Sequence, residues 1–66
     1  MANTFEYREV VGISTNGIED AIREGLNEIK SSYDIAWFEV VSMRGRMVDD
    51  HVIEHQVSLK IGCRAK

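Results

Sequence analysis

The stretch IEDAIREGLNEIKSSY, residues 18–33, decides the architecture. Ile18, Ala21, Ile22, Gly25, Leu26, Ile29 and Tyr33 recur at the spacing that lines one face of a 3.6-residue spiral. Glu19, Asp20, Arg23, Glu24, Asn27, Glu28 and Lys30 take the other sides. Just upstream, Ser14-Thr15-Asn16-Gly17 is a helix-start signal. Ser14 or Asn16 is the expected cap, and Glu19 and Asp20 complement the positive end of the helix. Gly25 costs roughly 1 kcal/mol against Ala inside a helix. Its place on the apolar face points to close contact with a sheet, beside the plainer reading of a tolerated glycine.

Strands flank this helix on both sides. Thr4 to Val11 reads as a first strand, with aromatic and β-branched character from Phe5, Tyr7, Val10 and Val11, and Gly12 ends the run. Ser31-Ser32 and Asp34 mark the helix exit, and a second strand is expected from Ile35 to about Met47. Strict alternation puts Phe38 and Val40 on one of its faces and Trp37, Glu39, Val41 and Met43 on the other. Asp49-Asp50 is a turn signal. The third strand, Val52 to Arg64, alternates most cleanly: Val57, Leu59, Ile61 and Cys63 against Gln56, Ser58, Lys60 and Arg64. The order is β-α-β-β, a thin α+β unit whose helix packs on one sheet face. The other face carries Trp37, Val41 and Met43, apolar surface that calls for a second subunit or a ligand.

Composition bounds the rest. The chain has 66 residues, 8 Lys+Arg against 11 Asp+Glu, and is 44% hydrophobic. That reads as one small domain over residues 1–66, neither disordered nor large enough to be comfortable alone. The lone Cys63 excludes an internal disulfide framework, and one Cys with two His is poor material for structural zinc. Oligomerisation is the remaining way to stabilise so small a unit. No apolar run is long enough to span a membrane, and Met1 to Glu6 carries no secretory signal, so the expected location is the cytoplasm. A mildly acidic chain without a Lys/Arg cluster argues against nucleic-acid binding.

Few residues here suit catalysis. Cys63 has the inward parity of a buried hydrophobe. His51 and His55, if both lie on one strand, stand about 13 Å apart, too far for one metal. Asp49-Asp50 offers too few oxygens for calcium. No catalytic residue and no metal site is assigned, and an enzyme is not expected. Trp37, the only tryptophan, is either a packing residue or a stacking platform for a flat ring. Gln56 presents donors and an acceptor in one plane and can read the edge of a heterocycle. Arg44 and Arg64 are solvated strand cations or phosphate ligands.

Four segments together resemble the dodecin family of small flavin-binding proteins: VGIS at 11–14, WFEV at 37–40, RG at 44–45 and QVSLKIGCR at 56–64. The likeness spans nearly the whole chain, in order. It implies a three-stranded antiparallel sheet wrapped partly around one helix, and a hollow homo-oligomer of twelve subunits. It further implies flavins bound in pairs at subunit contacts between symmetry-related tryptophans. By this resemblance the cofactor-binding residues are Trp37 for stacking, Gln56 for the ring edge, and Arg44 and Arg64 near the phosphate of flavin mononucleotide (FMN), with riboflavin or FAD as related ligands. The chain departs from the family pattern in a shorter segment 30–36, in Ala36 before the tryptophan, and in Cys63 where an aromatic is common.

The implied function is flavin storage, buffering and photoprotection. The rival reading is a structural or adaptor shell without flavin, or an oligomeric binder of another phosphorylated ligand such as coenzyme A.

Overall fold

The computed structural model describes residues 4–66, so the first half of the Met1–Glu6 segment searched for a secretory signal lies outside it. Strand β1 runs Glu6–Ser14, helix α1 Ile18–Ile29, strand β2 Tyr33–Asp49 and strand β3 Val52–Ala65. The three strands form one antiparallel sheet in the order β1-β3-β2, so the last strand lies in the middle. The expected β-α-β-β order holds.

Element ends differ from the sequence reading for local reasons. Gly12 does not end β1 but sits inside it, facing α1. A Cβ there would fall 2.8 Å from the Ala21 carbonyl carbon and 2.9 Å from the Gly25 nitrogen. Strand and helix thus meet backbone to backbone, and Gly25 completes the contact, since its own Cβ would lie 2.8 Å from Leu59 Cδ1. Neither Ser14 nor Asn16 caps the helix. Gly17 is the N-cap, at φ 128°, a conformation that suits glycine, and its carbonyl accepts from the Ala21 N–H at 3.1 Å. The Ser14 hydroxyl instead donates to Asp20 Oδ2 at 2.6 Å and accepts from the Asn16 N–H at 2.9 Å. Tyr33 belongs to β2 rather than to the helix, because the chain has already turned at Lys30–Ser32.

The buried core is small: Ala21 from the helix and Val57, Leu59, Ile61 and Cys63 from β3. Val10, Ile22, Leu26, Ile29, Tyr33 and Ile35 close around it. The helix lies across β1 and β3. Beyond Ile35 no residue of β2 is buried.

Cross-strand partners share a face of an antiparallel sheet. Ile35, Phe38, Val40, Met43 and Met47 pair with Cys63, Ile61, Leu59, Val57 and Ile53, and so point to the helix side. Trp37, Glu39, Ser42, Arg44 and Arg46 pair with Gly62, Lys60, Ser58, Gln56 and Glu54, and point outward. Strict alternation is broken by three register shifts, which leave Ala36, Val41 and Val48 as extra residues. The shift at Val41 corrects one expectation: Met43 faces away from Trp37, and Arg44 takes its place on the outer face.

The molecule is elongated, 53 × 20 × 13 Å, because the β2–β3 hairpin runs well past the helix. Its radius of gyration is 13.5 Å, against about 11 Å for a compact chain of this length. Its accessible surface is 4779 Å², against about 4,200 Å² for a monomer of this mass. Phe38, Val40, Met43 and Met47 stand in a row on the helix side of β2 and stay exposed. An isolated chain would leave all of that apolar area in water.

Candidate functional site

Trp37 owes its place to the extra residue before it. The shift at Ala36 turns the side chain from the helix side to the outer face, opposite Gly62. The indole lies directly over that glycine. A Cβ on Gly62 would fall 2.7 Å from the ring atom Cδ2 and closer still to Cε2 and Cζ2. Two rings of the β1 side hold it from its flank. Phe5 meets it at 5.1 Å between centroids and Tyr7 at 5.9 Å, both in edge-to-face geometry. Two cations sit on these flanking rings, Arg64 on Phe5 at 4.2 Å and Lys60 on Tyr7 at 4.3 Å. The Tyr7 hydroxyl donates to Glu39 at 3.4 Å. Even so, 40% of Trp37 remains exposed. This is an indole held on its flank and underside, with part of its surface open.

A polar ladder occupies the same outer face toward the hairpin turn. Arg44 Nε donates to Gln56 Oε1 at 2.8 Å. Gln56 Nε2 donates to Glu54 Oε1 at 2.9 Å, and Arg46 Nε donates to the same oxygen at 2.9 Å. These two donors hold the Glu54 carboxyl below its usual range, the Gln56 bond first and Arg46 second. Gln56 keeps one N–H and one lone pair free for a ligand.

The four residues expected at the site therefore fall into two pairs. Trp37 and Arg64 stand at one end, linked through Phe5, and Arg44 and Gln56 stand toward the other. Gln56 lies six residues along β3 from Gly62, the partner of Trp37, so the two pairs are about 20 Å apart at the usual strand rise. One flat ring cannot touch both Trp37 and Gln56 of the same chain. Phe5, Tyr7 and Gly62 were not singled out by sequence reasoning. Phe5 and Tyr7 do carry a signal, two aromatics at period two in an otherwise polar run, but only the register shows that they face Trp37.

The remaining candidates stay apart from this face. Cys63 is fully buried and donates weakly to the Glu6 carbonyl at 3.7 Å. Burial, helped by the Glu6 carboxylate, pushes its thiol pKa up. His51 is in the turn and His55 is half-buried on β3. Among the described residues no cluster of His, Cys, Asp and Glu is fit to hold a metal ion. No described helix is long and apolar enough to cross a membrane.

Comparison with known proteins gives a consistent result. The family model described as Dodecin matches residues 4–66. The dodecin of Thermus thermophilus is 35% identical over 65 residues, which covers 97% of this chain and 94% of that protein. The structure of dodecin from Streptomyces davaonensis superposes with a TM-score of 0.84 at 36% identity, over 98% of each chain. A Thermus dodecin variant with a tryptophan replaced by phenylalanine superposes at 0.85, with 33% identity and 96% of each chain covered. Two further Thermus variants, each with an arginine replaced by alanine, superpose at 0.85 and 0.83.

Proposed function

The chain belongs to the dodecin family, and from that premise we propose that it is a non-catalytic flavin-binding protein. It stores and buffers flavins, FMN foremost, and protects them from light. It assembles as a hollow homododecamer that binds flavins in pairs, each ring lying on the Trp37 of one subunit. Gln56 of a neighbouring subunit reads the ring edge, and Arg44 and Arg64 are the cations for the phosphate.

The observation that carries this reading is the split of the site. Trp37 is half-exposed over Gly62, while the hydrogen-bonding pair Arg44–Gln56 waits about 20 Å away on the same face. A ring-binding site assembled from these residues is complete only when a second copy is present. The exposed row Phe38, Val40, Met43 and Met47 supports the same conclusion, since a neighbouring copy would cover it. The altered tryptophan and arginines of the Thermus variants carry positions one greater than Trp37, Arg44 and Arg64.

The residues fit the group. An exposed indole face offers apolar area and stacking attraction of about 1–3 kcal/mol per ring, as for nucleobases. The free N–H and lone pair of Gln56 match the alternating acceptors and donor of a flavin's pyrimidine edge. A bound flavin supplies light absorption and electron acceptance. Trp37, as an electron-rich ring in contact with it, would donate one electron to the excited flavin and regain it, which quenches the excited state with no net redox change. Two flavins paired between two such indoles would have all their ring faces covered, leaving no face for a second substrate, which favours keeping the flavin over using it.

Titration of riboflavin and FMN with the flavin-free protein tests this. Quenching of flavin fluorescence that saturates near one flavin per chain is expected, and Trp37→Ala should lose it while the assembly persists. Absence of quenching with either ligand would refute flavin binding and favour the empty-shell reading.

A further inference from the structure

Gln56 is held at both ends of its amide, and that arrangement has a direction. Arg44 can only donate, and it approaches Oε1 at 2.8 Å. Glu54 when ionised can only accept, and it takes the Nε2 hydrogen at 2.9 Å. A flipped amide would set an N–H against the guanidinium and a carbonyl against the carboxylate, so both bonds would become repulsive. Glu54 is itself anchored, because Arg46 Nε donates to the same Oε1 at 2.9 Å. Arg46 and Glu54 are cross-strand partners, as are Arg44 and Gln56, so the sheet register sets all four groups.

We infer that Glu54, clamped by Arg46, is the positioning residue that fixes which way the Gln56 amide faces and thereby which donor–acceptor pattern it shows a ligand. This deepens the flavin reading and rests on it for the identity of the ligand. The uracil-like edge of a flavin presents acceptor, donor, acceptor. An amide of either orientation can pair with it, but at a different carbonyl. Fixing the amide therefore fixes where the ring sits along its stacking partner. The carboxylate of Glu54 is well suited to the task, since its two donors keep it ionised below the usual carboxylate range.

The test exploits a feature of the composition: Gln56 is the only glutamine in the chain. Glutamine-selective 15N labelling of the flavin-free protein gives one side-chain NH2 pair. In the wild type its two protons should be widely separated, with the one bound to Glu54 shifted downfield. In Glu54→Ala the pair should collapse toward free-amide positions while light scattering reports an unchanged assembly. Riboflavin titration should then show about tenfold weaker binding for Glu54→Ala. Glu54→Gln, which can still accept from Gln56, should recover most of that loss, and Gln56→Ala should show no further loss when Glu54→Ala is added.

An NH2 pair that is the same in wild type and Glu54→Ala overturns the inference. So does an unchanged riboflavin affinity in a variant whose pair has collapsed. Should the wild type show the separated pair and yet bind no flavin, the flavin reading fails and the amide clamp stands.

Discussion

Replacing Gly62 by Ala should separate assembly from ring binding. The new methyl would sit 2.7 Å from Trp37 Cδ2, where ordinary contact begins at 3.4 Å, so that atom must retreat by about 0.7 Å and its ring neighbours by more. Two opposite terms act on stability. Ala restricts the unfolded chain and contributes about 0.4–1 kcal/mol. Overpacking costs about 1–3 kcal/mol, at the low end here because an indole that is 40% exposed can swing outward. The net change in unfolding free energy is a loss of roughly 0–2 kcal/mol. The effect on the site is larger. Swinging out breaks the edge contacts to Phe5 and Tyr7 and spoils the stacking surface. Loss of that stacking, about 1–3 kcal/mol, weakens flavin binding roughly 5- to 150-fold. The sole tryptophan reports the change without any ligand: its emission should shift to the red. Riboflavin titration reads the second effect, and light scattering confirms the assembly. Gly62→Ala protein with wild-type emission and wild-type affinity would refute the placement of the indole over Gly62.

Three further outcomes are expected. Gly12→Ala should prevent stable folding, since the methyl would collide with the Ala21 carbonyl and the Gly25 amide, backbone atoms that move only if the whole helix withdraws; a loss of about 3 kcal/mol or more should appear in urea unfolding. Arg64→Ala or Arg44→Ala should weaken FMN more than riboflavin in paired titrations, and equal losses would assign the arginines to structure, Arg64 through Phe5 and Arg44 through Gln56. Cys63 should react slowly with a thiol reagent until the protein is denatured, because it is buried and its thiol is held protonated. Since its folded-state pKa is raised above 9.0, the associated stability is complete below pH 9 and is lost as pH rises through the higher folded value.

The sequence told most about the helix and about β3, the elements whose side chains meet the core. The spacing of Ala21, Ile22, Gly25, Leu26 and Ile29 and the alternation from Val57 to Cys63 both match their burial. The period of each element is visible because one face is apolar and the other is not. Capping was misread because glycine serves as N-cap through its backbone freedom, while the Ser14 hydroxyl expected to cap is committed to Asp20. Gly12 looked like a break because its role is absence of a side chain, visible only once Ala21 is opposite it.

The faces of β2 were legible from Trp37 to Val40 but not beyond, and the reason bears on the site itself. Beyond Ile35 this strand buries nothing within its own chain, so no local apolar–polar contrast marks where its alternation slips. Yet those slips build the site. One at Ala36 sends Trp37 outward, and one at Val41 brings Arg44 to the same face and into reach of Gln56. Remove the Val41 slip, and Arg44 would point to the helix side, with Gln56 left without its donor. Two bulges that cost ladder hydrogen bonds, on a strand with no core to fill, gain the chain nothing in isolation. They are understandable under the proposed assembly, in which the Trp37 end of one subunit and the Gln56 end of another present matching groups across the same contact. The proposed pairing of tryptophan with glutamine is thus a statement about two chains, and a single chain's sequence carries each half without its partner.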